Sequence, residues 1–210
     1  SDLFVDIDIE KSKLRYYKKL PEMYDIDGKL IIEGSRLEVQ VQNALLPSPG
    51  DAPIRITGGN AIIPENHIRQ SDMIVTAMME GSAQNVLKYI DQEPLRLMRG
   101  FAYSPDTIRG NFDGTVRLQF PRLGELPFNR ISAQVDAQIS DFVLTKPVAG
   151  YRLDATRLEL KATNEKIFVT GDARINTVPV SVKWSEKIKN KSNNNNELRT
   201  KVKILAEVNE

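Results

Sequence analysis

Residues 131–144 read ISAQVDAQISDFVL, and their pattern decides the fold. From Ile131 to Ile139 every second residue is apolar, and the residues between them, from Ser132 to Ser140, are polar. Alternate side chains of an extended strand point to opposite faces. The stretch therefore predicts a strand with one apolar face and one solvated face. A second sheet, a helix or a molecule that is not protein would each cover the apolar face, and the pattern leaves all three open.

The same alternation recurs along most of the chain. The further alternating stretches are LFVDIDIE (3–10), DGKLIIEG (27–34), RLEVQVQNALL (36–46), APIRITGGN (52–60), DMIVTAMMEG (72–81), GTVRLQFP (114–121), TRLELKATNEKIFVTGDARI (156–175), VPVSVKW (178–184) and ELRTKVKILAEV (197–208). We expect turns at Asp27-Gly28, at Gly58-Gly59 and near Asn164-Glu165. Roughly ten strand candidates result, so the pattern predicts a mainly β fold.

One segment has helical spacing instead. In GSAQNVLKYIDQEPLRLM (81–98), the apolar residues Val86, Leu87 and Ile90 recur with the period of a helix. Ser82 is a favoured N-cap, and Pro94 is a residue that stops helices. We predict one short helix over residues 83–91. It would pack across the apolar face and close part of it, or cap one end.

The domain organisation is simple. No segment has the composition of a linker between folded domains, so residues 1–210 are predicted to form a single β-rich segment. The asparagine-rich run at 189–197 predicts a flexible loop, and the alternation after it predicts another strand. The chain starts at Ser1 within an alternating stretch, so we expect it to be an excised piece of a longer protein or a processed one. No stretch reaches the roughly 18 consecutive apolar residues that span a bilayer.

Composition excludes several classes of function. The chain has 29 lysine and arginine residues against 28 aspartate and glutamate residues, a formal net charge of +1. This balance argues against a nucleic-acid-binding protein, which usually carries a basic stripe. Cysteine is absent, which excludes disulfides and cysteine-based zinc or redox sites. We expect no nucleic-acid partner.

No constellation of residues points to catalysis. His67 is the only histidine, and a single histidine in a polar connection is typical of a solvated residue. The carboxylate pairs Asp6/Asp8 and Asp136/Asp141 lie in or beside alternating strands, where they fit the solvated face better than a glycosidase pair. No nucleophile, phosphate-binding or zinc-protease motif is present. We expect no enzymatic activity, no cofactor and no metal site.

One local basic and aromatic cluster lies at residues 13–19, KLRYYKK. Tyr16 and Tyr17 stand there among lysine and arginine residues. Two interpretations remain open: an exposed rim of a sheet along which long side chains extend, and a contact with acidic lipid headgroups.

Five stretches together resemble a known family. They are KLPEMYDIDGKLIIEGSRLEVQVQNALL (19–46), MEGSAQNVLKYIDQEPL (79–95), GNFDGTVRLQFPRLGELPFNRISAQVDAQISDF (110–142), IFVTGDARINTVPVSVKWSEKI (167–188) and ELRTKVKILAEV (197–208). Their order of glycine, proline, alternating strand and short helix resembles the AsmA-like envelope proteins of the YhdP and TamB type. The resemblance covers most of residues 20–208, and its motifs include no catalytic signature.

The resemblance implies a fold, a location and a function. Such proteins are periplasmic bodies of Gram-negative bacteria, tethered to the inner membrane by a segment that this chain does not contain. Their bodies are elongated, twisted antiparallel sheets curled into an apolar groove. The family is implicated in carrying phospholipid between the inner and outer membranes. The chain would then be one segment of a lipid bridge, with phospholipid acyl chains and the remaining segments of its parent protein as partners.

On this interpretation, the lining of the groove comes from the apolar side of the strands. The predicted lining residues are Val39, Val41, Val116, Leu118, Phe120, Val135, Ile139, Leu158, Leu160, Val169, Val180 and Val182. We also expect the isolated chain to self-associate through its apolar face or its sheet edges.

In most proteins, alternating apolar residues form the inside of a closed β-sandwich. The alternative function is therefore a non-enzymatic periplasmic scaffold or assembly module with a sandwich core. A carbohydrate-active β-sandwich is a third and weaker hypothesis.

Overall fold

Strands dominate the architecture of the protein. The computed structural model describes residues 3–16, 20–68, 71–93, 95, 97–98, 103–122, 130–145, 152–188 and 200–206. Its strands are β1 (Phe4–Leu14), β2 (Met23–Glu33), β3 (Arg36–Leu46), β4 (Ile54–Ile63), β5 (Asp72–Ser82), β6 (Ile108–Pro121), β7 (Ser132–Leu144), β8 (Leu153–Thr163), β9 (Lys166–Ile175), β10 (Val178–Lys187) and β11 (Thr200–Ala206). Helix α1 (Ala83–Asp91) follows β5, and a 3₁₀ turn (Pro105–Thr107) precedes β6.

All eleven strands form one sheet, in which each strand pairs with the next one along the chain. Every pairing is antiparallel. The sheet is open, with β1 at one edge and β11 at the other. The predicted mainly β fold, an antiparallel sheet with one short helix, is confirmed. Within the described ranges no second sheet packs on the first, so these residues do not form the alternative sandwich.

Two of the predicted turns are wrong. Asp27-Gly28 lies inside β2 and Gly58-Gly59 lies inside β4, and the turn that joins β2 to β3 is at Gly34-Ser35. The third predicted turn is confirmed, because β8 and β9 meet at Asn164-Glu165. Glycine serves a different purpose within β4. A Cβ on Gly59 would lie 2.2 Å from the carbonyl oxygen of Thr76 on β5, so only glycine permits this close approach of the strands.

The sheet bends along a series of bulges. The register shifts in five of the pairings. It shifts twice between β1 and β2, at Ile9/Ser12 and Ser12/Leu14, and twice between β2 and β3, at Tyr24/Asp27 and Asp27/Gly28. It shifts once in each of three others, at Ile56/Gly58, Arg109/Asn111 and Asp154/Glu159. The bulges are accompanied by residues with positive φ, which include Lys11, Asp25 and Asp141. An extra residue in one strand bends that strand and increases its twist. Because such bulges recur from strand to strand, the whole sheet curls.

Helix α1 occupies the residues that the sequence predicts. Ser82 is its N-cap, and the Ser82 hydroxyl accepts a hydrogen bond from the Asn85 backbone N–H at 3.4 Å. The helix ends at Asp91, ahead of Pro94, which lies outside the described residues. We call the end of the sheet where β5 leads into α1 the helix end, and the opposite end the far end. None of the helices in the described part of the chain is long and apolar enough to cross a bilayer.

The buried core gathers toward the helix end. The buried apolar residues there are Ile26, Ala44, Leu46, Ile54, Ala83, Phe112, Ala137, Ile139, Leu144, Ala155, Leu158, Ala173, Val180 and Val182. Among the buried apolar residues only Ile63 lies at the far end in the described part of the sheet. The asparagine-rich run at 189–197 lies outside the described residues. The strand predicted after it is confirmed as β11, which pairs with β10.

Candidate functional site: an apolar groove

A continuous row of small and apolar residues crosses the sheet from β1 to β9. Directly opposed residues of an antiparallel pair share a face, so the register defines this central row. It runs through Ile9, Gly28, Val41, Gly59, Ala77, Val116, Val135, Ala162 and Ile167. Neighbouring strands lie about 4.8 Å apart, so the row is roughly 40 Å long.

A second apolar row runs beside the central row on the far-end side. It passes through Ile7, Leu30, Val39, Ala61, Val75, Leu118 and Ala133. From Leu30 to Ala133 its residues are half-buried, although no second layer of described residues covers them. The two rows together form the floor of a groove that runs across the strands.

The structure brings all twelve predicted lining residues to this one face. Val39 and Leu118 lie in the second row, and Val41, Val116 and Val135 lie in the central row. The remaining seven share the face through direct pairing or through alternation along the same strand. These are Phe120, Ile139, Leu158, Leu160, Val169, Val180 and Val182.

The twelve residues occupy two different environments, and this corrects part of the prediction. Ile139, Leu158, Val180 and Val182 are buried, and Leu158 is only 2% exposed. Leu158 packs with Val180, Val182 and two alanines in a cluster, so it belongs to the core of the protein and offers no surface to a ligand. The other eight residues are half-buried and remain accessible as lining. The accessible part of the groove is therefore displaced toward the far end.

Helix α1 covers the face at the helix end. Ala83 is buried in a cluster with Phe112, Ala137 and Ile139, and Val86 packs against the same cluster. The apolar side of the amphipathic helix thus replaces a second sheet over this part of the face. This resolves the choice that the alternation alone left open, since a helix covers one part of the face and no described residue covers the rest.

The loop between β3 and β4 holds the helix in place. Asn85 is 5% exposed, and its side-chain amide donates a hydrogen bond to the carbonyl oxygen of Ala52 at 2.8 Å. The Ser48 hydroxyl donates to the carbonyl oxygen of Asn85 at 2.8 Å. Buried polar groups with such partners specify one position of a helix. A further contact joins the helix to the 3₁₀ turn, because Lys88 pairs with Asp106 at 3.1 Å.

Two tyrosines connect the helix to the first edge strand. Tyr16 lies two residues after the end of β1. Its hydroxyl makes a hydrogen bond with the hydroxyl of Tyr89 on α1. Burial raises the pKa of the Tyr89 hydroxyl, to which the contact with Tyr16 adds, and burial also raises the pKa of Tyr16. Strands β1 and β5 would lie about 19 Å apart in a flat sheet. The contact therefore requires the sheet to curl toward the face that carries α1.

The basic and aromatic cluster at residues 13–19 is only partly described. Tyr17, Lys18 and Lys19 lie outside the described residues. Arg15 forms an exposed ion pair with Glu22 at 2.7 Å. Tyr16 is 40% exposed, and its hydroxyl contacts Tyr89 on the helix. The contact of this cluster with lipid headgroups stays a prediction.

The opposite face of the sheet is polar and solvated. Lys29 forms ion pairs with both Asp6 and Asp8, at 3.4 and 3.2 Å. Asp136 lies 4.0 Å from Lys161 in the same kind of exposed pair. Three of the four carboxylates that the sequence offered as glycosidase pairs thus serve as partners of surface cations. The fourth, Asp141, accepts a hydrogen bond from the side-chain amide of Asn111 at 3.2 Å.

No catalytic or metal-binding geometry appears in the residues that the structure describes. The side chain of His67 is 68% exposed and lies 3.3 Å from Glu65. No group of three or more histidine, aspartate or glutamate residues within the described ranges is placed to hold a metal ion. The apolar groove is therefore the feature of this surface on which we base a function.

One residue of the groove face was missed at the level of sequence. Glu186 lies directly opposite Ile167 and continues the central row toward β11, and it is 5% exposed. Its parity in VPVSVKWSEK was the available signal, since Val180, Val182 and Glu186 are separated by even numbers of residues. The apolar part of the central row therefore ends at β9.

Comparison with known proteins identifies no family: no family model matches the chain, and no curated protein and no solved structure matches it. The resemblance to AsmA-like proteins thus rests on the quoted motifs alone. What it implies about function, location and partners enters below as a proposal.

Proposed function

We propose that this chain is a segment of a lipid-carrying protein, and that its groove holds phospholipid acyl chains during transport between two membranes. The observation that supports the proposal best is the central row. It presents small and apolar side chains from β1 to β9 without a polar interruption, on a face that the described residues leave uncovered beyond α1. Transport between the inner and outer membranes, from a periplasmic position tethered to the inner membrane, is part of this proposal.

The dimensions of the row suit the cargo. The hydrocarbon core of a bilayer is about 30 Å thick and holds two layers of acyl chains, so one chain extends roughly 15 Å. A row of roughly 40 Å exceeds that length more than twofold. An acyl chain lying along the row can therefore shift along it while staying fully in contact with apolar side chains.

The energetics favour a groove over free diffusion. Each CH₂ group exposed to water costs about 0.8 kcal/mol, so an acyl chain in water is strongly disfavoured. Valine, leucine and alanine side chains remove that cost without binding any single position tightly. Because the groove is open along one side, a charged headgroup can remain in water while the chain is sheltered. The process requires no chemical step.

A photo-crosslinking experiment tests the proposal. We would place a photoreactive amino acid at Leu118, which is half-buried in the second row, and add vesicles that contain radiolabelled phospholipid. Arg117 is the matched control, because it neighbours Leu118 and is exposed on the opposite face. Leu158 is the control for a buried core position.

The proposal predicts labelled lipid at position 118 and none at positions 117 and 158. Equal labelling at 117 and 118 would mean that lipid only adsorbs to the surface, which contradicts the proposal. Crosslinking of position 118 to its own chain, without lipid, would mean that protein covers the groove. In that event the scaffold function would replace the transport function.

The scaffold alternative has one observation in its favour. β1 is an edge strand, and Phe4 is 67% exposed on it. An exposed edge offers backbone groups to which a partner can add a strand. Addition of a neighbouring segment of the same parent protein would extend the sheet in this way. The experiment at Leu118 separates the two functions, because strand addition at an edge places no lipid in the groove.

A further inference from the structure

We propose that the Tyr16–Tyr89 pair is a latch, which fastens the end of β1 to helix α1 and regulates the access of alkyl chains to the groove from the helix end. The inference rests on the proposed function, because it assigns a regulatory contact to the same groove. Its geometric basis is the hydroxyl contact between two segments that are 73 residues apart in the chain.

Apart from this contact and an irregular ladder, the end of β1 is held by two exposed polar contacts, Lys11 N–H to the Asp27 carboxylate at 2.8 Å and Arg15 to Glu22 at 2.7 Å. β1 pairs only with β2 in the described sheet, and its register with β2 shifts twice between Ile9 and Leu14. Ser12 is the single residue between those shifts that has a direct partner. Leu14 itself is 48% exposed. A segment with few buried contacts and an irregular ladder opens at low cost.

An apolar position of the groove face lies beside the strand end that the latch holds. Ile26 on β2 is the direct partner of Ser12 and lies on the groove face, two residues before Gly28 of the central row. It is only 4% exposed, although β2 lies next to the edge of the sheet. Movement of the end of β1 away from α1 would uncover Ile26 and lengthen the accessible apolar surface toward the helix end.

The strength of the contact suits a reversible closure. A hydrogen bond between two neutral hydroxyl groups contributes little net free energy, because water replaces either partner when the pair separates. Tyr16 is 40% exposed, so water reaches the pair. The helix side is firmly attached by contrast, since Asn85 is buried and hydrogen-bonded to the loop between β3 and β4. The end of β1 is therefore the moving part.

A thiol-labelling experiment tests the latch directly. The chain contains no cysteine, so Ile26→Cys introduces a single thiol whose reaction rate with a maleimide reports its exposure. We would compare this variant with and without the double substitution Tyr16→Phe and Tyr89→Phe. Leu158→Cys is the buried control away from the latch. Tyr24→Phe is the matched control, because the Tyr24 hydroxyl makes no hydrogen bond with any described residue.

We expect the double substitution to raise the labelling rate at position 26 about three- to tenfold, the range that the loss of one such hydrogen bond produces. Labelling at position 158 should not change. Amide hydrogen exchange of residues 3–16 in the chain without cysteine should accelerate by a similar factor, which covers the case in which Ile26→Cys impairs folding. Unchanged exchange and labelling, or an equal rise at position 158, would overturn the latch.

Uptake of a fluorescent fatty acid tests the regulatory part. If the original chain binds the probe, the double substitution should increase the uptake rate. Faster labelling at position 26 without faster uptake would overturn regulation and leave a purely structural contact. If no variant binds the probe, the lipid function and the regulation both fail, whereas the labelling rates still decide whether the contact fastens β1.

Discussion

Val116 on β6 lies directly opposite Val135 on β7 on the apolar face of the sheet. One residue to the side, Thr115 lies opposite Asp136 on the solvated face. Neighbouring residues of each strand thus lie on two faces of different polarity, one apolar and one solvated. Because this relationship continues from strand to strand without a change of face, separate alternating stretches add up to one groove.

The groove has a dry core at the helix end and accessible lining toward the far end, and stability measurements should separate the two. Leu158→Ala leaves a cavity in the core, so we expect it to lower the free energy of unfolding by about 2–5 kcal/mol. Leu118→Ala removes apolar area that is already partly exposed, and we expect a loss below about 2 kcal/mol. Urea denaturation of the two variants provides the comparison. Equal losses would mean that the far end is as covered as the core.

The close approach of β4 and β5 should tolerate only glycine at position 59. In Gly59→Ala the new Cβ would lie 2.2 Å from the carbonyl oxygen of Thr76, and the backbone φ of +154° is unfavourable for alanine. We expect a loss of more than about 3 kcal/mol in the free energy of unfolding, because the clash is with backbone. Gly34→Asn is the control: its φ is +56°, no atom lies within 4 Å of a Cβ there, and asparagine tolerates that conformation. A mild effect at Gly59 would contradict the close packing.

The position of α1 on the sheet should depend on Asn85. Asn85→Ala removes the hydrogen bond to the carbonyl oxygen of Ala52 and leaves that carbonyl without this partner. We therefore expect a loss of about 1–3 kcal/mol in the free energy of unfolding. Gln84→Ala, on the same turn of the helix, removes only an exposed contact with Asp106 and should cost less than about 1 kcal/mol. Chemical denaturation monitored by circular dichroism measures both variants. A larger effect at Gln84 would mean that the contact with the 3₁₀ turn, and not the contact with Ala52, holds the helix in place.

One part of the acid sensitivity of the protein should come from Glu38. The Arg36 guanidinium, which donates a hydrogen bond to the Glu38 carboxylate, lowers the pKa of that carboxyl below its ordinary value of 4.5. A lowered pKa in the folded state contributes stability above the unfolded pKa, and this contribution disappears as the pH falls through the folded pKa.

Glu38→Gln should therefore reduce the loss of stability on acidification from about pH 5 to about pH 3. Because the Arg36 side chain is about half exposed, the difference should not exceed about 1 kcal/mol. Denaturation curves across this pH range, with Glu33→Gln as a surface control, provide the test. Identical pH profiles of Glu38→Gln and the unsubstituted chain would exclude the pair as a contributor.

The isolated chain should self-associate. Ile7 on β1 and Ile204 on β11 are nearly half exposed on the two edge strands of the open sheet. We expect sedimentation velocity to detect dimers or larger species, which mild detergent reduces. Ile7→Lys combined with Ile204→Lys should lower the associated fraction several-fold, because a charge at an edge discourages pairing. A monomeric chain that is indifferent to detergent would contradict this expectation.

Much of the fold was readable from single stretches of sequence. The residues that face the groove along β6 and β7 follow from alternation alone, because the covalent geometry of an extended chain sends neighbouring side chains to opposite sides. The bounds of α1 follow from Ser82 and the spacing of its apolar residues. In both cases the information is local, since a few consecutive residues determine the outcome.

The site was less predictable where it depends on distant residues. Asp27-Gly28 and Gly58-Gly59 have the composition of turns, yet they lie within strands, because the neighbouring strands approach the chain there. Glu186 is separated from the apolar residues of β10 by even numbers of residues, as a residue of the same face must be. Because it is charged, the apolar pattern did not place it in the central row. No local pattern indicated the contact between Tyr16 and Tyr89, which forms only when the sheet curls.

The sequence by itself determined which side of each strand is apolar, where the helix begins and that the chain is mainly β, since these properties depend on the period of the backbone. Only the tertiary structure decided that Leu158 is buried core while Leu118 remains accessible, although both are leucines on the same face of alternating strands. The physical reason is that burial depends on the curl of the sheet and the position of α1. Both arise from pairing and packing between residues that are far apart in the chain.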